Sequence, residues 1–252
     1  MRWISSATRF LLPIGVLCAA GLLVSQTSPS APPGQAATPT QSTTPTQPAP
    51  AQKPLLIMID AGHGGTDPGA LLTPTVAEKD ITLNVARRLK QELNTRGIQV
   101  QLVRDGDVTL SSDQRATIAN TADPALYISV HASSLGSGMR VFTAMLPSGG
   151  DNNGPFLDWD SGQSAALDRS KAIQAQLVSA IQQIRFPVRA LMAPLRPLNN
   201  IKSPAIAIEI SPTTGHADQV ASTGYQQMIC SAVANALGSI APALRANAGA
   251  HP

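Results

Sequence analysis

Leu55-Leu56-Ile57-Met58-Ile59-Asp60-Ala61-Gly62-His63-Gly64-Gly65 is the stretch from which the rest of the chain can be read. Five apolar residues run into an acid and then into a histidine set among glycines. A run of this length reads as a buried strand, and the glycines read as a tight turn after it. The arrangement recurs twice. Leu126-Tyr127-Ile128-Ser129-Val130 leads to His131, and Ala205-Ile206-Ala207-Ile208 leads to Glu209. Ligands of α/β sheets gather at the carboxyl ends of strands, above all where the strand order reverses. Three strands ending in His, His and Glu therefore predict one shared site.

Outward from these strands, helix and strand alternate, which predicts a layered α/β fold. Residues 78–96 read as a helix, with Ile81, Val85, Leu89 and Leu93 repeating at i+4 and Gly97 placed as its C-terminal cap. Ile98, Val100 and Leu102 alternate with glutamines as a half-buried strand. Ser111 and Gln114 form a capping box before a short helix. Strands over 139–146 and 188–195 and helices over 163–184 and 218–237 complete the pattern. Residues 147–162, rich in Gly, Asn and Asp, read as a loop that carries Phe156 and Trp159.

Composition bounds the chain further. Its 252 residues hold one domain with a sizeable core plus a tail. A net charge of +3 and a pI near 9.1 suit an anionic surface. With no long run of Lys or Arg, nucleic acid is excluded as a partner. Arg2 and Arg9 precede an uncharged apolar stretch from Phe10 to Val24. Residues 1–26 thus read as a signal peptide, with an uncleaved N-terminal membrane anchor as the alternative. Residues 27–53, built of Pro, Thr, Ser, Gln and Ala, read as a disordered tether. The expected catalytic domain spans 54–240, and 241–252 reads as a flexible tail. Leu17 before Cys18 argues against a lipidated cysteine, and Cys230 alone allows no disulfide in the domain.

The residue types at the strand ends point to zinc. A catalytic zinc takes three protein ligands and keeps one position open, commonly with two His and one carboxylate. His63 and His131 supply nitrogens, and Glu78, Asp60 or Glu209 supplies the carboxylate. Glu78 opens the first helix, behind a loop long enough to fold back over the strand end. A second carboxylate must carry a proton to the leaving group. Glu209 fits, because a glutamate ending an apolar strand is poorly solvated. Each residue has a plainer explanation by itself: a turn histidine, a core histidine, a helix-start charge, or a glutamate paired with Arg189 or Arg196. The Gly62–Gly65 turn is not a phosphate loop, since it lacks the Gly-Lys-Ser/Thr ending.

Ile57-Met58-Ile59-Asp60-Ala61-Gly62-His63-Gly64-Gly65-Thr66-Asp67-Pro68-Gly69-Ala70 resembles the opening signature of zinc-dependent N-acetylmuramoyl-L-alanine amidases of type 3, the AmiC-like family. Five further blocks follow in the family's order: Glu78 to Asn84, Leu102 to Asp107, Arg115 to Asn120, Ile128 to Ala132 and Pro204 to Glu209. The resemblance implies one zinc ion held by His63, Glu78 and His131, with Glu209 as general base and acid. It implies a three-layer α/β/α fold with a mixed, mostly parallel sheet. The implied reaction is cleavage of the amide between N-acetylmuramic acid and L-alanine in peptidoglycan, for wall remodelling or daughter-cell separation. An exported protein of the periplasm or cell envelope follows, anchored to the inner membrane if residues 1–26 are retained, with an activator protein as a further partner. A non-catalytic zinc- or peptidoglycan-binding regulator and a zinc peptidase acting on stem peptides are the alternatives. The chain departs from the family at Ser133, where Asn is usual, and at residues 210–215, which replace a Gly-Phe-Leu-Ser-Asn type segment.

Overall fold

The computed structural model describes residues 55–146 and 161–248. The expected export segment and tether, Phe156 and Trp159, and the last residues of the tail lie outside the described residues.

The three apolar runs form strands β1 (Leu56–Ala61), β5 (Leu126–Ala132) and β8 (Ala205–Ile210). Between them lie the short pair β2 (Leu71–Thr73) and β3 (Val76–Ala77), then α1 (Glu78–Asn94), β4 (Gln99–Leu102) and α2 (Ser112–Ala122). β6 (Met139–Ala144), α3 (Leu167–Gln183) and β7 (Val188–Ala193) come before β8. The chain then runs through α4 (Asp218–Ala221) and α5 (Thr223–Ala248).

Six strands make one sheet in the order β4-β1-β5-β8-β6-β7. β4, β1, β5 and β8 are mutually parallel, β6 runs antiparallel to β8, and β7 is parallel to β6. The sheet is therefore mixed and mostly parallel. Strand alternation divides its side chains between two cores. Ile57, Ile59, Ile128, Val130, Ile206 and Ile208 pack with the apolar stripes of α1, α3 and α5. Met58, Tyr127, Ala205 and Ala207 face the other way, against Ala116 and Ala119 of α2 and the 3-10 turn at Leu198–Asn200. The result is three layers, α/β/α.

The chain leaves β1 for β4 on one side through α1 and returns to β5 on the other through α2. Because these helices lie on opposite faces, the strand order reverses at β1. The crevice this creates at the carboxyl ends of β1 and β5 is where a ligand site belongs.

Local signals produce the elements much as they read. Ser111 and Gln114 form the reciprocal capping box, and Gly97 has φ 71, open to glycine without penalty. The C-terminal region differs from expectation. Ser222 is extended and separates α4 from α5, its Oγ accepting the Tyr225 N–H at 3.2 Å. The helix then runs beyond its expected end at residue 237 and through Pro242, a residue that ordinarily breaks a helix. Residues 241–248 are therefore helix and not tail. Ala241 and Leu244 continue the buried stripe of Leu237 and Ile240, and that burial carries the helix onward.

Candidate metal centre

His63 follows β1 in a left-handed backbone conformation, φ 62, within a turn where Gly64, Gly65 and Gly69 also have positive φ. Two arginines fix this turn. Arg104 donates to the carbonyls of Ala61 (2.8 Å) and Gly62 (2.9 Å), and Arg115 donates to those of Ala61 (2.9 Å) and His63 (2.6 Å). Thr82 of α1 donates to the Gly62 carbonyl at 2.7 Å, and Lys79 to that of Gly65 at 2.9 Å. Buried carbonyls at the end of a strand need donors, and these side chains satisfy them.

The β2–β3 hairpin lies inside the long loop after His63 and brings the chain back, so that Glu78 opens α1 beside His63 and His131. Glu78 Oε2 lies 3.1 Å from His63 Nε2, and Oε1 lies 3.0 Å from His131 Nδ1. The Glu78 carboxylate also accepts the backbone N–H groups of Ala70 and Ala132, each at 3.1 Å. Burial pushes this carboxyl up, but the hydrogen bonds from His131, His63 and the two amides outweigh it and hold it well below the usual range. His63 is shifted upward chiefly by its bond to Glu78, with Asp67 adding to it against the effect of burial.

One ligand atom from each of His63, Glu78 and His131 lies within 4.8 Å of the others. Zinc bonds of roughly 2.0–2.1 Å in a tetrahedron set neighbouring donors about 3.3 Å apart. Each Glu78 oxygen lies 3.0–3.1 Å from one imidazole nitrogen, so the three side chains need to shift by little to meet one ion, and two imidazoles with one carboxylate are a donor set zinc accepts. The glycines show how tightly the set is closed. A Cβ on Gly62 would lie 2.7 Å from the His131 ring, and one on Gly69 would lie 2.7 Å from the His63 ring and 2.8 Å from Glu78.

Of the three carboxylates open to the sequence reading, Glu78 joins the histidines. Asp60 does not: it is buried, and its oxygens are taken by Arg115 Nη1 and the Tyr127 hydroxyl. Glu209 stands apart from the donor set, yet it is the register partner of His131 on the same face of the sheet. Parallel neighbours are about 4.8 Å apart, so Glu209 lies one strand spacing from a donor. Among the described residues its ion-pair partner is Arg140 of β6.

Four contributors escaped the sequence reading. Asp67 Oδ2 contacts His63 Nδ1 at 2.8 Å, which leaves Nε2 to face Glu78. Arg104 and Arg115 serve the turn, and their signal was a charged residue among buried positions. Arg140 carried no local signal.

A cleft of about 110 Å³ lies over this group, lined among others by His63, Asp67, Arg115, His131 and Arg196. That is small beside the roughly 300–1,000 Å³ pockets that engulf small ligands.

The profile of the Amidase_3 family, described as N-acetylmuramoyl-L-alanine amidase, matches residues 57–239. N-acetylmuramoyl-L-alanine amidase AmiC of Escherichia coli O6:H1 is 35% identical over 98 residues, covering 38% of this chain and 22% of that protein. AmiA of Salmonella typhimurium is 24% identical over 215 residues, covering 72% of this chain and 74% of that protein. The solved structure of amidase AmiC2 of Nostoc punctiforme superposes with a TM-score of 0.57 at 25% identity, over 75% of this chain and 97% of that one. The chain spans less than two fifths of the length of several curated relatives it matches. With its profile matched from the first strand to the last helix, the chain belongs to the Amidase_3 family, whose described activity is that of an N-acetylmuramoyl-L-alanine amidase.

Proposed function

We propose that this protein is a zinc-dependent hydrolase of the amide between the lactyl group of N-acetylmuramic acid and L-alanine in peptidoglycan. The observation that carries this reading is the convergence of His63, Glu78 and His131 at the strand ends, with Glu209 in register beside His131, in a chain of this family. His63, Glu78 and His131 would hold the ion. Bound there, zinc supplies Lewis acidity, which acidifies water and polarises a carbonyl.

The chain's own groups do the rest. Cleavage adds water across the amide: the hydroxyl stays on the lactyl carbonyl carbon, the C–N bond breaks, and the alanine nitrogen leaves with a proton. Glu209 would take that proton from water and return it to the nitrogen, and its position in register beside His131 supports the role. Arg140 holds the Glu209 carboxylate against the sheet, so the base is oriented before substrate arrives. Asp67 fixes the His63 ring, as a carboxylate behind a ligating histidine does. The export-type N-terminus read from the sequence would deliver the domain to the periplasm or cell envelope, where the substrate lies.

Digestion of purified peptidoglycan by the zinc-loaded chain, followed by mass spectrometry, tests the reading. Free stem peptides and peptide-free glycan are expected from the wild type and absent with Glu209→Gln, which should retain its zinc. A digest in which every stem peptide stays on muramic acid would overturn it.

A further inference from the structure

Four residues form one straight row across the sheet: His131 on β5, Glu209 on β8, Arg140 on β6 and Arg189 on β7. Each is the register partner of the next. Register partners point to the same face, so one row leads from a metal-binding histidine to the β7 edge. Its charges do not balance. Glu209 offsets Arg140, with which it is ion-paired, and Arg189 stands beside Arg140 without a counterion among the described residues. Like charges opposite each other on neighbouring strands are destabilising, so the row favours one more anion. Arg140 is a third exposed, and its Nε is buried with no partner among the described residues; Arg189 is exposed.

The substrate class says which anion. In an N-acetylmuramoyl peptide the sugar is neutral, because its carboxyl is consumed in the scissile amide. Carboxylates occur only on the peptide side. We propose that Arg189, with Arg140, forms a subsite for a carboxylate of the stem peptide. This orients the substrate with its peptide over β6 and β7 and its sugar toward β1. The inference rests on the amidase reading and adds the direction of the substrate and a preference for acidic peptides. Arg189 lies two strand spacings, about 9.5 Å, from Glu209, close to the length of three extended residues. The carboxylate it meets is thus about three residues from the scissile bond.

The test compares two synthetic N-acetylmuramoyl-L-alanyl peptides of four residues, one with free carboxylates and one fully amidated, on the zinc-loaded full chain. The wild type should favour the acid by about fivefold in kcat/KM, expressed in KM, as suits an exposed charge-assisted contact. Arg189→Gln should bring that preference within about twofold, and Arg189→Lys should restore part of it. Lys171→Gln, which removes the same charge from exposed α3, should keep the preference. Equal kcat/KM for the two peptides in the wild type, or a preference untouched by Arg189→Gln, overturns the subsite and leaves the amidase reading standing. Cleavage of neither peptide overturns the amidase reading and the subsite with it.

Discussion

Asp67 Oδ2 lies 2.8 Å from His63 Nδ1, on the far side of the ring from the nitrogen that faces Glu78. The same carboxylate accepts the Gly69 N–H at 3.0 Å, so one side chain ties the histidine to the loop that returns the chain to α1. Asp67→Ala should weaken zinc binding by roughly 10- to 100-fold, the usual effect of removing such an outer partner. Competition with a chelator of known affinity measures it. Affinity equal to wild type would show that the turn alone fixes the ring.

Gly69 has φ 65, and a Cβ there would press on both His63 and Glu78. Gly69→Ala is expected to cost about 1–2 kcal/mol of backbone strain alone. It should also lower zinc affinity more than tenfold, because the clash falls on two of the three donors. Urea unfolding with and without zinc separates the two effects: the loss should be larger with the metal.

Arg115 and Asp60 form a nearly fully buried pair beneath the turn, 6% and 1% exposed at their side chains. Removing one partner strands the other charge in the core. Arg115→Ala should destabilise by about 3–5 kcal/mol, and Tyr127→Phe by about 1–3 kcal/mol through the loss of one donor to Asp60. Burial and the Asp60 charge push the Tyr127 hydroxyl well above its usual range, so it remains a donor at every pH of interest. Denaturant midpoints of the two variants give the ordering.

The metal-free protein should show opposite pH trends from two residues. Glu78 is shifted down in the folded state, so its contribution is full above its ordinary range near 4.5 and is lost as pH falls through the lowered value. His63 is shifted up, so its contribution is full below about 6.5 and fades as pH rises through the raised value. Metal-free melting temperature should therefore be highest in the mildly acidic window between them. Zinc requires neutral imidazole, so affinity should climb with pH across the same range where His63 deprotonates. Calorimetry in buffers of different ionisation enthalpy should find protons released on zinc binding near pH 6. Proton uptake there would contradict the assignment of His63.

Much of this was legible because the relevant signals were local. Apolar runs leading to His63, His131 and Glu209 marked β1, β5 and β8, and their shared direction follows from alternation with helices. His63, His131 and Glu209 could be placed at strand ends for that reason, and Glu78 at a helix start. What remained hidden depends on pairings between distant segments. In Met139-Arg140-Val141-Phe142, Arg140 is an ordinary alternating polar residue; only the antiparallel register of β6 on β8 sets it opposite Glu209. Asp67 is indistinguishable from a turn aspartate until the hairpin after it folds. Asp60 stayed open as an alternative carboxylate because the buried Arg115 and Tyr127 that claim it lie 55 and 67 residues away.

The central claim is that water is added across the muramoyl–alanine amide. Hydrolysis of an N-acetylmuramoyl-L-alanyl peptide by the zinc-loaded chain in ¹⁸O-water tests it most directly, with the products read by mass spectrometry. The account predicts one ¹⁸O in the carboxyl group of released N-acetylmuramic acid and a free amine on an unlabelled, intact peptide. Label in a peptide carboxyl, with alanine still joined to the sugar, would contradict it and make the protein a peptidase.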